Sequence, residues 1–410
     1  MDIIIGAGIS GLSYANFTKN QYLILEKDSE IGGYCKTIKK DGFTWDYSGH
    51  FFHFQNREIE DYILKNMKKE TVLKVKKNSQ IYYNSKFIDF PFQKNIHQLE
   101  KEEFIDCLYD LFENNFKEYE NFKEMLYAKF GKSISEKFLI PYNEKLYACN
   151  LNNLDKDAMG RFFPYADKNE IIKNFKTPEN ESYNSDFTYP KGGAIEYVNS
   201  LVSNLESSKI NLNEKLIKID LKEKKVFTTI GEYHYDNLIS SVPFPYLLKI
   251  CDIEYEESIY SWNKVLVFNL GFNKKGNDVK NHWVYFPNKE TSFYRIGYYD
   301  NIFNDDRMSI YVEIGFDSKA EINVEEWKQK VLKDLVKNKL INDHQLISEH
   351  FVIMNPAYVH INKDSIIDVQ NKKKYLEKNN VFSIGRYGSW TYCSIEDNII
   401  EALNLTKEIK

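Results

Sequence analysis

Near the beginning of the sequence, a short run of isoleucines leads directly into a glycine-rich turn. Ile3-Ile4-Ile5 predicts a buried strand, and the GAGISG segment that follows has the spacing of a turn that opens a helix. In this arrangement Gly6 permits the tight turn, Gly8 lets the backbone approach a pyrophosphate, and Gly11 allows the helix to pack closely. The segment therefore predicts a Rossmann-like unit that binds a dinucleotide through its helix N-terminus.

A second predicted strand, Tyr22-Leu23-Ile24-Leu25, is followed by Glu26. An acidic residue about 20 positions after the glycine turn binds ribose hydroxyls in such folds. Gly33 closes a second glycine pair a few residues later, and this pair resembles the one that flavin oxidoreductases place after the ribose-binding acid. The resemblance favours FAD over NAD as the dinucleotide.

The chain has 410 residues, which is long for a single core and predicts two or three compact units. We predict an α/β fold: a Rossmann-like FAD-binding domain, a helical insertion recognised by apolar residues at three- and four-residue spacing, and an antiparallel β-sheet substrate domain. The strands predicted between 209 and 242 are expected to rejoin the cofactor sheet. The predicted boundaries are 1–55, 185–245 and 378–410 for the FAD-binding domain, 97–180 for the helical domain, and 56–96 with 246–377 for the substrate domain.

The charge and the cysteines restrict the expected partners. A formal net charge of −5 gives no global field for nucleic acid, so no nucleic-acid partner is expected. The five cysteines lack CxxC spacing, which disfavours a metal site and a disulfide framework. The scattered cysteines are expected in a reducing cytoplasm, and since neither a signal peptide nor an apolar run of membrane-spanning length is seen, we expect no membrane span.

The region after residue 380 predicts one more strand and a helix. Val381-Phe382-Ser383-Ile384 reads as a buried strand that reaches Gly385, and Ser394 with Asp397 resembles a capping box. In flavoproteins of this architecture such a helix directs its positive end at the flavin pyrimidine. Gly385 is accordingly predicted to lie at the cofactor.

Six short motifs are distributed along nearly the whole chain. They are 45–50 (WDYSGH), 90–96 (FPFQKNI), 141–147 (PYNEKLY), 189–193 (YPKGG), 283–287 (WVYFP) and 385–390 (GRYGSW). Together they resemble the UDP-galactopyranose mutase family, and its eukaryotic-type branch more than the bacterial one. The YPKGG element also occurs in flavin amine oxidases and desaturases. The FPFQ and GRYGSW elements are more particular to the mutases.

The resemblance implies a reaction and its cofactors. It implies a non-redox isomerisation of a nucleoside-diphosphate sugar between pyranose and furanose forms, with N5 of reduced FAD as the nucleophile at the anomeric carbon. NAD(P)H is then the expected reductant, the product is expected to serve polysaccharide biosynthesis, and self-association into a homo-oligomer is expected.

The resemblance also assigns roles to individual residues. Guanidinium groups bind phosphate oxygens through paired hydrogen bonds, which suits a departing diphosphate. His50 is expected beside the flavin, where it would influence N5 through its backbone. The expected catalytic residues are His50, Arg161, Arg295 and Arg386; the expected substrate-binding residues are Phe90, Gln93, Asn143 and Tyr147 for the uridine, Trp283 for the sugar, and Tyr285, Tyr358 and Tyr392 for the diphosphate.

The chain departs from the family pattern at a few positions. Phe90 and Tyr147 stand where the eukaryotic-type pattern has Tyr and Trp, and Glu396 stands where it usually has Asn. A carboxylate at position 396 would repel a diphosphate unless it is protonated or turned away. The nucleobase and the sugar therefore stay open.

Two other functions compete with the mutase interpretation. A flavin oxidase of the amine-oxidase or protoporphyrinogen-oxidase type would share the fold, the glycine turn and the YPKGG element. An oxidase has no evident use for Arg295 and Arg386 converging with tyrosines on one ligand, so these residues discriminate the two. A non-enzymatic FAD-binding scaffold is the third alternative.

Overall fold

The computed structural model describes residues 1–68, 71–114, 116, 118–180 and 185–409. The strands in this part of the chain are β1 (Asp2–Ile5), β2 (Tyr22–Leu25), β3 (Thr37–Lys40), β4 (Phe43–Asp46), β5 (Val72–Lys76), β6 (Ser79–Tyr83), β7 (Lys86–Asp89), β8 (Asp186–Pro190), β9 (Ile210–Asn211), β10 (Leu216–Asp220), β11 (Lys225–Thr228), β12 (Glu232–His234), β13 (Asn237–Ser240), β14 (Ser261–Phe272), β15 (Trp283–Tyr285), β16 (Arg295–Tyr298), β17 (Ser309–Asp317), β18 (Leu346–Met354), β19 (Val359–His360) and β20 (Val381–Ser383). The helices are α1 (Ile9–Phe17), α2 (Arg57–Leu64), α3 (Lys101–Phe112), α4 (Phe122–Ile134), α5 (Ile140–Tyr147), α6 (Lys168–Lys176), α7 (Ile195–Val202), α8 (Phe244–Ile250), α9 (Tyr299–Phe303), α10 (Val324–Lys337), α11 (Lys363–Glu377), α12 (Gly385–Gly388) and α13 (Ile395–Glu408).

A parallel sheet forms the layer that carries the glycine turn. Its strand order is β20-β13-β1-β2-β9, and every neighbouring pair is parallel. Ile4 packs with residues of α1, α7 and α13, whereas Ile3 and Ile5 pack with residues of α8 and α11 on the opposite face. A parallel sheet covered on both faces reads as a continuous apolar run, as this first strand does. The Rossmann-like α/β prediction is therefore confirmed.

The strands predicted between 209 and 242 follow the expectation only in part. Strands β9 and β13 join the parallel sheet, but β10, β11 and β12 form a separate antiparallel sheet, so the prediction was wrong for these three. Leu216 and Ile219 are buried whereas Ile217 and Lys218 are exposed. A strand that is solvated on one face cannot occupy the interior of a parallel sheet that helices cover on both faces.

The second layer is a mixed sheet of eight strands in the order β18-β14-β17-β16-β15-β6-β7, with β19 paired to β14. Its pairs are antiparallel except β15 with β6. The alternating apolar stretches predicted this mostly antiparallel sheet correctly. Two short pairs, β3 with β4 and β5 with β8, lie beside the two large sheets.

The predicted helical insertion contains α3, α4, α5 and α6, and a π-helical turn at Ser135–Leu139 joins α4 to α5. Helix α5 lies against β17 of the mixed sheet. A side chain at Gly315 would overlap the carbonyl oxygen of Lys145, so only glycine allows this close approach. The insertion is thereby fixed to the sheet at one helix. No helix in the described ranges is both long enough and apolar enough to span a membrane.

Candidate active site

A cavity of about 870 Å³ opens between the parallel sheet and the mixed sheet. One end is lined by the glycine turns at Gly6, Gly8 and Gly33. The other end is lined by Arg295 and Arg386 together with aromatic side chains. The cavity therefore joins the predicted dinucleotide turn to the predicted phosphate-binding residues.

The glycine end has the features of a pyrophosphate site. Gly6 and Gly33 have φ angles of 100° and 56°, which favour glycine. Gly8 caps helix α1 without a side-chain hydrogen bond, and a Cβ built on it would lie 3.9 Å from the Cα of Gly33. The first-turn N–H groups of α1 are therefore available to an anion. Gly11 lies outside the lining, where a side chain would overlap the carbonyl oxygen of Gly6.

Glu26 follows β2 and lines the same end of the cavity. Its carboxylate accepts hydrogen bonds from the backbone N–H of Ala7 at 2.7 Å and of Asp28 at 2.9 Å. A carboxylate can accept about four hydrogen bonds, so these two leave capacity for ribose hydroxyls. The two backbone contacts also fix the carboxylate relative to the glycine turn.

The start of helix α13 lies at the cavity. Ile395 and Asn398 line it, and Ser394 and Asp397 form the predicted capping box. Gly385 also lines the cavity at a φ of 83°, and a side chain there would overlap the Ser10 hydroxyl. The positive end of a helix therefore faces the cavity, close to the start of α1, where the Ser10 hydroxyl donates to Asn398 at 3.1 Å. These residues fit FAD.

Arg295 lies on β16 and forms a partly buried bidentate pair with Glu313 on β17. The Nε–Oε2 distance is 2.6 Å and the Nη2–Oε1 distance is 2.9 Å, and Glu313 is 1% exposed. The Ser48 hydroxyl also donates to Glu313. Glu313 thus holds the arginine and the segment that precedes His50, a role that the sequence analysis missed. Its only signal in the sequence is a carboxylate within an apolar strand.

Arg386 lies on α12 and is held by backbone and aromatic groups. Its Nη2 donates to the Cys393 carbonyl at 2.6 Å. The centre of its guanidinium lies 5.0 Å from the Tyr392 ring and 6.0 Å from the Tyr358 ring, and these two rings stack with centroids 5.9 Å apart. Since all three residues line the cavity, they form one cationic and aromatic wall.

Trp283 and Tyr285 lie on β15, in register with β16, so that Tyr285 is directly opposite Arg295. The Trp283 indole N–H donates to the Tyr285 hydroxyl at 2.6 Å, and its ring stacks on Phe51 at 5.5 Å with an interplanar angle of 3°. Trp283, Tyr285 and Phe51 all line the cavity. They provide an apolar surface beside the arginines.

His50 lines the cavity and is partly buried. Its Nδ1 has no hydrogen-bond partner among the described residues. Burial, together with the positive charge of Arg386, lowers the pKa of His50 to about 4. The imidazole is therefore neutral at neutral pH.

The predicted uridine-binding residues are not among the described residues that line the cavity. Phe90 packs on Tyr285 with ring centroids 4.9 Å apart, and the Gln93 amide donates to the Pro164 carbonyl. Three buried atoms, Gln93 Oε1, Asn143 Oδ1 and the Tyr147 hydroxyl, have no partner among the described residues. Buried polar atoms are normally paired, so these three are available to a polar ligand that reaches them.

Arg161 also lies outside the lining. Its Nη2 is 2.7 Å from Asp397 Oδ1, at the first turn of α13, and its guanidinium lies 4.7 Å from the Phe162 ring. Phe162 lines the cavity and contacts Tyr392 at 5.1 Å. Arg161 is therefore one side chain removed from the cavity.

Glu396 lines the cavity, but its carboxylate is bound by backbone N–H groups. Its two oxygens accept from the Gln55 N–H at 3.0 and 3.1 Å, and one of them also accepts from the Asn56 N–H at 2.9 Å. The carboxylate is turned toward this backbone segment. Glu396 thus ties α13 to the segment that follows His50.

Comparisons with known proteins agree with this geometry. A model of the NAD(P)-binding Rossmann-like domain matches residues 4–64. The UDP-galactopyranose mutase of Mycoplasma genitalium is 26% identical over 291 residues, which cover 64% of this chain and 66% of that relative.

Solved structures share the fold over the whole chain. A reduced UDP-galactopyranose mutase has a TM-score of 0.91 at 22% identity, with 100% of this chain and 93% of the other covered. A protein assigned as a protoporphyrinogen oxidase from Exiguobacterium sp. 255-15 has a TM-score of 0.79 at 16% identity, with coverages of 100% and 98%. Cyclohexylamine oxidase from Brevibacterium oxydans has a TM-score of 0.70 at 11% identity, with coverages of 100% and 98%. These identities establish the fold alone, which mutases and oxidases share.

Proposed function

We propose that this chain belongs to the UDP-galactopyranose mutase family and that it interconverts the pyranose and furanose forms of a nucleoside-diphosphate sugar. The observation that carries the proposal is the placement of Arg295 and Arg386 in the same cavity as the glycine turns. A diphosphate leaving group needs fixed cations, and guanidinium groups bind phosphate oxygens in pairs. The hydroxyls of Tyr285, Tyr358 and Tyr392 would add hydrogen bonds to the same group.

The cofactor proposed for this reaction is FAD, with NAD(P)H as its reductant. When bound, reduced FAD would supply the nucleophile. Gly6, Gly8 and Gly33 would hold the pyrophosphate, Glu26 the ribose, and the positive end of α13 would stabilise negative charge on the ring system.

The remaining residues would orient the sugar and keep the site dry. Trp283 and Phe51 offer stacked apolar faces against which a sugar ring can lie. His50 would not add a positive charge at neutral pH, because burial lowers its pKa to about 4. The two arginines are therefore the cations that receive the departing diphosphate.

We also propose an intracellular role in polysaccharide biosynthesis, in the cytoplasm, and self-association of the chain, as the family resemblance implies. The uridine would be bound by Phe90, Gln93, Asn143 and Tyr147. Unpaired oxygens at Gln93 and Asn143 support this assignment, because a nucleobase presents matching donors. The contribution proposed for Arg161 is indirect, through Phe162.

The test is conversion of sugar nucleotides by the reduced flavoprotein. We would incubate dithionite-reduced protein with UDP-galactofuranose and a panel of other sugar nucleotides and separate the products by chromatography. Interconversion of ring forms only with reduced flavin supports a mutase. Flavin that cycles with oxygen and an amine or porphyrinogen, with no sugar nucleotide converted, would support the oxidase alternative instead.

Variants of the two arginines sharpen the test. Arg295→Ala and Arg386→Ala should each weaken UDP binding and reduce turnover while FAD content stays unchanged. Arg57→Ala is the matched control. The Arg57 side chain is 91% exposed, and its ion-pair partner, Asp61, is also exposed and lies 3.9 Å away. Full activity in either cavity variant would remove that arginine from the proposed site.

A further inference from the structure

Lys145 has an unusual environment for a lysine. It lies on α5, and its Nζ donates to the backbone carbonyls of Phe286 at 2.8 Å, Asn288 at 2.9 Å, Thr291 at 2.9 Å and Phe293 at 2.5 Å. An ammonium has three protons, so these carbonyl groups share them. The side chain therefore acts like a cation bound inside a ring of carbonyl oxygens.

The loop that surrounds this ammonium connects β15 to β16. Strand β15 carries Trp283 and Tyr285, and β16 begins with Arg295. Helix α5 carries Asn143 and Tyr147, which lie two positions before and after Lys145. One side chain thus joins the helix that carries two proposed base-binding residues to the hairpin that carries the sugar- and diphosphate-binding residues.

The charge of Lys145 is paired with dipoles rather than with a direct carboxylate. Burial lowers the pKa of this ammonium to about 7, and Asp334 partly opposes that effect. Asp334 holds the same loop from the other side, since its Oδ2 accepts from the Ser292 N–H at 2.7 Å. The carbonyl ring is therefore the main partner of the ammonium.

We propose that Lys145 is a positioning residue that fixes the distance between the base-binding and the diphosphate-binding halves of the substrate site. This inference rests on the function proposed above. Losing the ammonium releases the β15–β16 loop from α5, so a ligand that bridges the two halves must order them itself and binds more weakly. A ligand that contacts only the flavin end is unaffected.

A second link between the same elements offers a matched control. Lys289 lies in the same loop, and its Nζ is 3.0 Å from Glu144 Oε2 on the same helix. The Lys289 side chain is 73% exposed, and ion pairs between such exposed side chains contribute little to stability. Lys289→Ala therefore removes a lysine from the same junction without opening the carbonyl ring.

The experiment compares wild type, Lys145→Ala and Lys289→Ala as flavin-loaded proteins. We expect Lys145→Ala to weaken UDP binding about tenfold and to raise KM more than it lowers kcat, because the ligand must then order the β15–β16 loop itself. Amide hydrogen exchange in residues 283–297 should rise without any ligand present. Lys289→Ala should change neither measurement appreciably.

Chemical rescue separates positioning from general instability. Propylammonium supplies the missing cation and stem, so adding it to Lys145→Ala should restore UDP binding and slow the exchange of residues 283–297. Guanidinium at low concentration should not, because its planar shape does not fit a ring built around an ammonium. If Lys145→Ala does not accumulate in folded form, Lys145→Gln keeps two donors and is compared in the same way.

The outcomes distinguish this inference from the proposed function. If wild type fails to bind UDP, the proposed function is wrong, while raised exchange in Lys145→Ala would still establish the link between α5 and the hairpin. If wild type binds UDP and Lys145→Ala binds it equally well with unchanged exchange, Lys145 has no positioning role. Weakened binding that propylammonium does not restore would also overturn it.

Discussion

Replacing Glu313 by glutamine should lower the free energy of unfolding by about 1–3 kcal/mol, the amount lost when a partly buried polar group loses its hydrogen-bonded partner. The estimate follows from the geometry of the pair. Glu313 is 1% exposed and receives two hydrogen bonds from Arg295, at 2.6 and 2.9 Å, and one from Ser48. Glutamine has nearly the same shape but no charge, so the Arg295 guanidinium, whose side chain is 21% exposed, would remain at the cavity without its counter-ion.

Urea denaturation of the flavin-loaded protein measures this difference. Glu349→Gln on strand β18 is the control, because Glu349 is 41% exposed and pairs with Lys328 at 2.9 Å. An exposed pair of this kind contributes about 0–1 kcal/mol. If the two variants shift the denaturation midpoint equally, Glu313 stabilises the protein no more than an exposed carboxylate does, and the argument from its burial is wrong.

Three further predictions concern the cavity. Lowering the pH from 7 to 5 should reduce the free energy of unfolding by about 2 kcal/mol through His50. The reason is that the folded pKa of His50 is about 4, so the unfolded chain, with a pKa near 6.5, takes up the proton first. Urea midpoints compared at the two pH values should show that His50→Gln lacks this loss. Gly385→Ala should reduce FAD content measured by absorbance, since its φ of 83° and the nearby Ser10 hydroxyl leave no room for a methyl group, and unchanged FAD would contradict this. Glu396→Ala should speed hydrogen exchange at the Gln55 amide and cost about 1–3 kcal/mol, so an unaltered exchange rate would show that the carboxylate is dispensable.

Sequence reasoning was most successful where local chemistry decides the structure. The glycine turn, the alternating strands of the mixed sheet and the Ser394 capping box depend on neighbouring residues, and all are present. It failed for β10–β12, because alternation shows that one face of a strand is buried but not which layer it packs against. Leu216 and Ile219 pack across the parallel sheet instead of joining its edge. The domain boundaries remain predictions.

Only those residues of the candidate site that resemble a known family could be predicted from the sequence. Arg295 and Arg386 were placed in one cavity by their resemblance to a family, since sequence spacing alone does not bring them together. Lys145 gave no signal, because it is one of 55 lysines and arginines and its partners are carbonyl groups more than 140 positions away. Glu313 was similarly hidden, because only the folded sheet shows that its partner is Arg295.

The hydrogen bond from Ser10 to Asn398, at 3.1 Å, joins residues that are 388 positions apart and closes the wall of the cavity. A ribosome that adds about 5–20 residues per second needs roughly 20 to 80 seconds to travel between them. For that time the glycine turn exists without α13, so a nascent chain cannot enclose a flavin. The complete wall of the cavity therefore forms only after residue 398 has been synthesised, which makes its assembly a late step in the folding of the chain.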